Sequence, residues 1–358
     1  MKKLIKEKDA DQVTGNTVGL DLGDRWSRYC VLDQNGTIIK EDRVRTTLEG
    51  LQELFGGMPA TRIVVEAGTH SPWVSRELQK QGHRVTVANA RKVRLIDESD
   101  RKNDRMDARM LARLGRVDIN LLSPIQHRSA EAQSDLAVLR GRDALVSART
   151  QLINAVRGIV KSMGGRLPSS TTAAFSKKVI AAIPLMLKPA LDPLLQSIRN
   201  LSDQIKRCDQ RVRELAEKKY PETKLLQQVQ GVGPLVSLAY VLTLENPKRF
   251  PKSRTVGSYL GLRPKQSESG KTAPQLGISK AGNAYLRRLL VQSSQYILGS
   301  RASDSRLRRW GLELSARGGK NSKKRAVIAV ARKLSVLLHR LWSTAEVYEP
   351  LYGIEPAA

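Results

Sequence analysis

The sequence predicts an α/β domain followed by a mostly helical region. Strand-like and helix-like segments alternate over residues 16–125 after an initial hairpin, which favours a mixed sheet with helices on its faces. Two long amphipathic segments over residues 126–220 predict a helical hairpin, and apolar helical patterns continue over residues 221–345. The 358 residues are enough for two or three domains.

The elements of the N-terminal domain follow from local patterns. Residues 1–15 are charged and aperiodic, which predicts a flexible lead-in. Apolar runs bounded by turn residues predict strands, and amphipathic runs ended by glycine predict helices. The predicted strands are 18–22, 27–32, 37–39, 62–66 and 85–88, and the predicted helices are 47–55 and 71–81.

The composition points to a phosphate-rich partner. Against 34 Asp and Glu residues, 62 Lys and Arg residues give a formal net charge of +28 and are spread along the chain. Such a surplus favours nucleic-acid binding that weakens steeply with salt. There is no apolar run of spanning length, no signal peptide and no lipidation motif, so we expect no membrane attachment. Two cysteines, Cys30 and Cys208, predict neither a disulfide framework nor a zinc site, and the expected compartment is a reducing cytoplasm.

Four carboxylates come from three separated segments of the first domain. Asp21 lies in the first strand, and Glu66 ends a later apolar strand, where a carboxylate is costly unless a cation meets it. Asp104 and Asp107 are three residues apart on a predicted helix, so they share one face. An all-oxygen set of this kind is typical of a divalent-metal site.

Other interpretations of these acids stay open. The pattern Gly-x-Asp-x-Gly from Gly19 also occurs near the start of actin-like and sugar-kinase ATPases, where it contacts a nucleotide phosphate. Asp104 and Asp107 also have arginines beside them, and solvated pairing is the commonest fate of charges on a helix. His70 and His83 are expected in loops or at the surface rather than as ligands.

The acids carry a resemblance to a known family of domains. A strand with Gly19-Leu20-Asp21, a strand ending in Glu66 and the helix motif Lys-x-Asp-x-x-Asp-Ala resemble the Asp-Glu-Asp-Asp set of RuvC-like nuclease domains, which have the ribonuclease H fold. Insertion-sequence transposases with such a domain share this context. The resemblance implies two Mg²⁺ ions, for which Mn²⁺ can substitute, beside a DNA phosphate. The ligands it implies are Asp21, Glu66, Asp104 and Asp107.

The middle of the chain predicts two long helices, 129–163 and 191–219. Their apolar residues recur at helical and near-heptad spacing, with a looser segment over 169–189 between them. Such helices form an antiparallel hairpin that can pack as a coiled coil against a second copy of the chain. The alternative is that the same apolar residues pack within the chain.

The C-terminal domain opens with a Gly-x-Gly turn at Gly231 and Gly233, between two apolar helical segments. The pattern is typical of a helix-hairpin-helix unit, in which exposed backbone N–H groups hold a DNA phosphate. A further helix is predicted over 250–261, then a basic loop, a basic helix and, over 346–358, a tail.

The loop and the helix after it extend the resemblance. The motifs are Gly-Leu-x-Pro from Gly261, Glu-Ser-Gly from Glu268, Ser-Lys-x-Gly-Asn from Ser279 and Leu-Arg-Arg from Leu286. Their order resembles the C-terminal transposase domain of the same insertion-sequence family, whose members are recombinases guided by a structured bridge RNA from their own element. The resemblance covers roughly residues 17–114 and 225–333.

A serine before a glycine in this loop is the nucleophile of that family, and Ser269 is the matching residue. The resemblance implies a composite site in which Ser269 meets the four acids of a partner subunit. Strand cleavage would leave a covalent phosphoserine and a free hydroxyl before exchange and religation. Ser267 and Ser279 flank the candidate, and a solvated loop serine is the alternative.

Cations and glycines near these motifs are the predicted nucleic-acid contacts. They are Arg101, Lys102, Arg105, Gly231, Gly233, Arg263, Lys265, Lys271, Lys280, Arg287, Arg288, Lys323 and Lys324. Aromatic residues make up only 4% of the chain, so few base-stacking platforms are expected. Selection of DNA by a guide RNA is what the resemblance implies.

Together with these observations, the resemblance implies a Mg²⁺-dependent, RNA-guided DNA recombinase that acts on element ends and target DNA as a dimer or tetramer. Two alternatives stay open. A junction resolvase would use water instead of Ser269, and a plain nucleic-acid-binding protein would be unaffected by Asp21→Asn. An actin-like kinase is least favoured, because later glycine-rich nucleotide-binding elements are not apparent.

Overall fold

The computed structural model describes residues 15–92, 103–269, 272, 274 and 276–352. Two compact units divide the chain, Met1–Ala130 and Glu131–Ala358. Nearly all of the predicted lead-in and the last residues of the predicted tail lie outside the described residues. Within the described ranges, no helix combines the length and apolar character needed to cross a bilayer.

A five-stranded mixed sheet forms the centre of the first unit, in the order β3-β2-β1-β4-β5. The strands are β1 (Thr17–Asp21), β2 (Trp26–Leu32), β3 (Ile38–Arg45), β4 (Arg62–Glu66) and β5 (Arg84–Ala88). The first three strands pair antiparallel, whereas β1, β4 and β5 run parallel. The predicted strands are thereby confirmed. The largest difference is in β3, which continues to Arg45 instead of residue 39, because its charged, mostly exposed residues lack the apolar alternation that marks a strand.

Three helices cover the two faces of this sheet: α1 (Leu48–Phe55), α2 (Ser71–Lys80) and α3 (Asp104–Val117). One face packs under α1 and α2 in a core that includes Leu20, Phe55 and Val74. The other face packs under α3, where Cys30 meets Ala108. Helices therefore cover the central part of both sheet faces, as in a three-layer α/β domain.

Helix α3 approaches β1 at backbone contact. A Cβ atom built on Gly19 would lie 2.0 Å from the carbonyl oxygen of Ala108 and 2.4 Å from the amide nitrogen of Ala112. Towards the other end of the helix, Gly115 lies against the side chains of Val64 and Thr17. Only glycine allows this close packing, and the two contacts show that α3 runs antiparallel to β1.

His83 lies in the loop before β5, one of the positions predicted for it, but it is buried in this core rather than at the surface. Only 4% of it is exposed; its Nδ1 accepts from the amide of Thr61, and its Nε2 lies 3.0 Å from the carbonyl oxygen of Phe55. A polar side chain can be buried in this way once its hydrogen bonds are satisfied.

The described part of the second unit is helical. Its α-helices are α4 (Ala130–Ser162), α5 (Phe175–Val179), α6 (Lys188–Glu214), α7 (Thr223–Gln227), α8 (Pro234–Leu244), α9 (Arg254–Tyr259), α10 (Ala284–Leu298), α11 (Arg306–Ala316) and α12 (Ser322–Thr344). The two predicted long helices are confirmed as α4 and α6, with a π-helical turn, Leu215–Lys219, after α6.

The apolar stripes of α4 and α6 pack against each other within the chain. Val156 and Val160 of α4 share one core cluster with Leu195 and Ile198 of α6. Nearer the base of the hairpin, Leu139 belongs to a larger cluster that includes the C-terminal helices. Intrachain packing therefore accounts for the buried stripe.

Two ion pairs fix the base of the hairpin. Arg142 Nε lies 2.5 Å from Asp209 Oδ1, and Lys219 Nζ lies 2.5 Å from Asp135 Oδ2. Tyr220 donates a second hydrogen bond to Asp135 at 2.6 Å. Burial and the neighbouring carboxylate raise the pKa of Tyr220 well above its usual value, so the hydroxyl keeps its proton and this bond.

The helix predicted over residues 250–261 begins later than expected, at Arg254. Phe250 lies before it in an irregular segment, and its ring packs edge-on against Tyr259 at 5.2 Å and His339 at 5.8 Å between centroids. Phe250 is thus half-buried by tertiary contacts instead of by a helix of its own.

Candidate active site

Asp21 and Glu66 lie side by side at one edge of the sheet. Leu20 of β1 is paired with Val65 of the parallel strand β4, and each acid is the next residue of its strand. Gly19 and Val64 lie on the face that α3 covers, so the acids, two residues further on, lie on that same face. Both acids are half-buried.

The first turn of α3 carries the other two acids towards this edge. Asn103 caps the helix by accepting a hydrogen bond from the Arg105 amide at 3.0 Å, and Asp104 and Asp107 follow it. Because Gly115 lies near the start of β1 and Ala108 lies near Gly19, the helix start lies beyond Gly19, towards Asp21.

The backbone therefore brings the three acid-bearing segments to one edge and one face of the sheet. Among the residues that the structure describes, no three His, Cys, Asp or Glu side chains are gathered closely enough to hold a metal ion. The fold places the acids in the same region, and their carboxylates would have to turn towards one another around a cation.

Glu41 is a residue of this region that the sequence did not identify. Its carboxylate on β3 accepts hydrogen bonds from Arg105 at 2.8 Å and from Arg109 at 2.6 Å, both on α3. The Arg109 guanidinium is the main reason that the pKa of Glu41 falls to about 2, so the carboxylate stays ionised. An acid within a largely charged strand is a weak sequence signal for this role, because Asp42 beside it gives the same signal.

Cys30 pairs with Glu41 across the two strands. Burial, together with the Glu41 carboxylate, raises the pKa of the Cys30 thiol to about 11. The thiol is therefore protonated at neutral pH and is unsuited to act as a nucleophile. Cys30 and Cys208 are both free cysteines.

The loop after Glu66 is held by a buried serine and a histidine. Gly68 donates from its amide to Ser71 Oγ at 2.9 Å, and Ser71 Oγ lies 2.9 Å from Nε2 of His127. Burial, followed by the charges of Arg76 and Arg128, lowers the pKa of His127, which favours the neutral imidazole. Because Ser71 is fully buried, this pair fixes a loop and offers no accessible nucleophile.

Ser269 lies on an exposed arm that leaves and rejoins the second unit. The arm begins as a paired ladder, in which Ser279 donates to the carbonyl of Arg263 and Lys265 donates to that of Gly277, both at 2.9 Å. Further out, the amides of Ser269 and Thr272 donate to each other's carbonyls at 3.1 and 3.0 Å. The hydroxyl of Ser269 thus belongs to an exposed residue on a hydrogen-bonded arm.

The base of the arm is closed by Arg287. Its Nη1 donates to the carbonyls of Leu260 at 2.9 Å and Ala281 at 2.7 Å, on the two sides of the arm. Gly261 has a φ of +70° and passes so close that a Cβ would lie 2.2 Å from the Ala281 carbonyl oxygen. Arg287, predicted as a nucleic-acid contact, is therefore a positioning residue for the arm in this structure.

Three other predicted nucleic-acid contacts have partners within the chain. Arg105 pairs with Glu41, and Arg288 Nη2 lies 2.5 Å from Asp143 Oδ1. Gly231 has a φ of +87°, and a Cβ atom built on it would lie 3.1 Å from Cδ1 of Tyr296 on α10, so the turn favours glycine there. These contacts join distant segments, which local sequence patterns do not reveal.

The remaining predicted contacts differ in accessibility. Gly233 precedes α8 without a side-chain cap, which leaves backbone amides at a helix start. The exposed cations of the set are Arg263, Lys265, Lys280, Lys323 and Lys324. Arg101, Lys102 and Lys271 lie outside the described residues.

Comparisons with known protein families match both units. A DEDD transposase domain of the IS110 type matches residues 18–164, and a transposase domain of the IS116/IS110/IS902 family matches residues 223–309. The first match contains all four acids, and the second contains the Gly-x-Gly turn, the arm with Ser269 and Arg287.

Similar proteins extend these matches over most of the chain. The transposase for insertion sequence element IS1111A of Coxiella burnetii is 28% identical, over 92% of this chain and 90% of its own length. A probable family 20 transposase of Pseudomonas aeruginosa is 27% identical over 93% and 98%, and the transposase for IS1328 of Yersinia enterocolitica is 26% identical over 82% and 87%.

The mixed α/β domain with its acid-bearing edge, the helical second unit and these matches define the class of the protein, which is a DNA transposase. Within that class, the chain belongs to the IS110/IS116 family of insertion-sequence transposases.

Proposed function

We propose that this transposase cuts and rejoins DNA at the sheet edge formed by Asp21, Glu66, Asp104 and Asp107. The observation that carries the proposal is the register of β1 on β4, which sets Asp21 beside Glu66 on the face covered by α3. A helix at backbone contact with Gly19 brings the remaining two acids towards the same edge.

These residues fit a divalent metal in kind, because carboxylate oxygens are the ligands that hard cations prefer. Mg²⁺, or Mn²⁺ in its place, would neutralise charge on the scissile phosphate and favour deprotonation of the attacking hydroxyl. The chain's own part is to hold the four carboxylates at one edge. Asn103 does so by starting α3, and the Glu41 contacts do so by holding α3 on the sheet.

Ser269 is the proposed nucleophile of the reaction. Its Oγ would lose its proton and form a bond to the phosphorus, and the bond from phosphorus to the leaving DNA oxygen would break. That oxygen would take up a proton and become a free hydroxyl. The exposed position of Ser269 supports access to a DNA strand, and the paired arm supports a defined direction of approach. Rejoining reverses the exchange with a different DNA hydroxyl.

A guide RNA and a second copy of the chain are the proposed partners, besides the element ends and the target DNA. The net charge of +28 supports binding of more than one nucleic-acid strand. Large apolar residues exposed at the far end of the hairpin, Leu185 by 79% and Met186 by 72%, support an interface with another copy, as a dimer or as a tetramer when both DNA partners are held. We place the reaction in the bacterial cytosol, at the nucleoid.

The test uses the full chain with its native element RNA and a labelled DNA end, and it measures both strand cleavage and a covalent protein–DNA adduct. Asp21→Asn should abolish both, whereas Asp24→Asn, which changes an exposed acid just after β1, should abolish neither. Chelation of divalent metal should match the effect of Asp21→Asn.

Ser269→Ala should remove the adduct, and Ser267→Ala in the same arm is its matched control. Cleavage that persists in Ser269→Ala would identify a water-using nuclease of the resolvase type. An adduct lost only in Ser267→Ala would move the nucleophile to that residue. Equal activity with and without the element RNA would contradict guidance by RNA.

A further inference from the structure

An exposed tryptophan and three arginines form a surface that the reaction proposed above does not use. Trp26 is paired with Arg45 across β2 and β3, and Arg28 is paired with Arg43. Since residues paired across antiparallel strands point to the same side and alternate residues share a face, all four side chains lie on one face of the sheet. We call this set the Trp26 platform.

The indole of Trp26 is exposed and is held by the arginines beside it. It is 43% exposed, and the guanidinium carbons of Arg43 and Arg45 lie 4.5 and 5.6 Å from the centroid of its ring. Cations at these distances are attracted to the π face of an indole. The platform therefore combines a partly exposed aromatic ring with positive charge held against that ring.

The charge of the platform is not neutralised within the described chain. Arg28, Arg43 and Arg45 form no ion pair with a described carboxylate, whereas Glu41 on the same face is already engaged by Arg105 and Arg109. Three arginines that form no ion pair with a described carboxylate favour an anionic partner, and the adjacent aromatic ring favours one that also has a flat π system.

The platform adjoins the acid-bearing edge. Asp21 at the end of β1 is the register partner of Arg28, and both lie on the face that α3 covers further along the sheet. Along β3 the alternate residues Glu41, Arg43 and Arg45 continue from the contact with α3 onto the platform. A DNA strand bound at the acid-bearing edge can therefore extend the short distance to Trp26.

We propose that the Trp26 platform binds single-stranded DNA beside the cleavage position, with an unpaired base stacked on Trp26 and phosphates contacted by the three arginines. The proposal deepens the function proposed above, because it takes the bound strand to be the one that reaches the acids. DNA is favoured over RNA because the chain is a DNA transposase and the platform adjoins Asp21. Stacking on an aromatic ring tolerates any base, as is required of a position that does not select sequence.

The first measurement is the affinity of the full chain for a fluorescent single-stranded DNA of about 12 nucleotides, the length that one binding groove covers. Trp26→Ala should weaken binding about 5- to 100-fold, since loss of one stacked base corresponds to that range. Trp26→Phe keeps an aromatic ring and should retain most of the affinity. Because Trp26→Phe should fold normally, comparing the two variants distinguishes the loss of base stacking from a loss of structure.

The arginines are tested by salt dependence. Arg43→Ala should lower the slope of log affinity against log salt by about 0.7, which is the value for one phosphate contact on a single strand. Lys80→Ala is the matched control, because it removes one exposed charge of the same unit at the far end of α2, next to Glu77. It should lower the slope much less than Arg43→Ala does.

Photocrosslinking of 5-iodouracil DNA locates the contact without reference to catalysis. An adduct at Trp26 should form in the wild-type chain and in Asp21→Asn alike. Continued cleavage by Asp21→Asn would overturn the acidic site and leave the platform standing. Unchanged DNA affinity in Trp26→Ala would overturn the platform and leave only a charged edge strand that resists pairing. Tighter binding of RNA than of the matching DNA, lost in Trp26→Ala, would also overturn the DNA assignment.

Discussion

The carboxylate of Glu41 on β3 accepts a hydrogen bond of 2.6 Å from the guanidinium of Arg109 on α3, although the two residues are 68 positions apart in the chain. Arg105, in the first turn of the same helix, donates to the same carboxylate. One side chain therefore anchors the helix that carries Asp104 and Asp107 to the sheet that carries the other acids.

Glu41→Gln should weaken this anchor and lower the free energy of unfolding by about 1–3 kcal/mol, the usual range for hydrogen bonds between charged groups. DNA cleavage should fall further than DNA affinity, because the substitution moves α3 rather than a DNA-contacting group. Asp42→Asn, an exposed acid one residue away, is the control. If both variants unfold at the same denaturant concentration as the wild type, Glu41 has no anchoring role.

The contribution of Glu41 should also depend on pH. In the folded chain its pKa is about 2, below the ordinary value of 4.5, so ionised Glu41 stabilises the folded state. This contribution is complete above pH 4.5 and is lost as the pH falls towards 2. Denaturant melts of the wild type and Glu41→Gln should therefore differ most at neutral pH and converge in acid. A constant difference across that range would contradict this assignment.

Gly19→Ala should separate α3 from β1. The new Cβ would lie 2.0 Å from the Ala108 carbonyl oxygen, so helix or strand must shift, at a cost of about 1–3 kcal/mol. Gly57→Ala is the matched control, because no atom lies within 4 Å of its Cβ position. Thermal unfolding measures both, and equal midpoints would show that α3 does not touch β1 at this point.

Arg287→Ala should loosen the arm that carries Ser269. It leaves the carbonyls of Leu260 and Ala281 without their guanidinium donor, so limited proteolysis should cut the arm faster than in the wild type. The rate of the proposed serine adduct should fall about 10- to 100-fold, as expected when a reacting group loses its position. Arg288→Ala, which removes an ion pair with Asp143 and a contact with the Tyr285 ring but no bond to the arm, is the comparison. Equal proteolysis of the two variants would exclude a positioning role.

Salt should change the reaction more than it changes the fold. The surplus of positive charge predicts that DNA affinity falls by orders of magnitude between about 50 and 200 mM salt, because counterions compete for the phosphates. Unfolding midpoints should shift little over the same range, since the cores are apolar. A flat affinity across these concentrations would contradict phosphate binding as the main source of affinity.

Sequence patterns predicted the elements of the first unit because its buried strands are short apolar runs with clear ends. The position of Glu66 at the end of β4 follows from such a run. The role of Glu41 does not, because its partners lie more than 60 residues away on another element. The burial of His83 does not follow from its loop position for a related reason, since the two groups that satisfy its hydrogen bonds come from separate segments.

The same limit applies to the basic residues. A count of arginines does not separate Arg287, which closes the arm, from Arg263, which is exposed on it. Nor did a low aromatic content reveal that Trp26 is exposed beside Arg43, because exposure depends on how far a helix covers that face of the sheet. Tertiary pairing decides these roles.

The acids belong to one compact unit of the chain and Ser269 belongs to the other. In the proposed reaction, neither unit can cleave DNA by itself. One unit has the metal-binding acids without the nucleophile, and the other has the nucleophile without the acids. Cleavage in this reaction therefore requires both units on the same DNA strand. Any condition that prevents this would also prevent a DNA break.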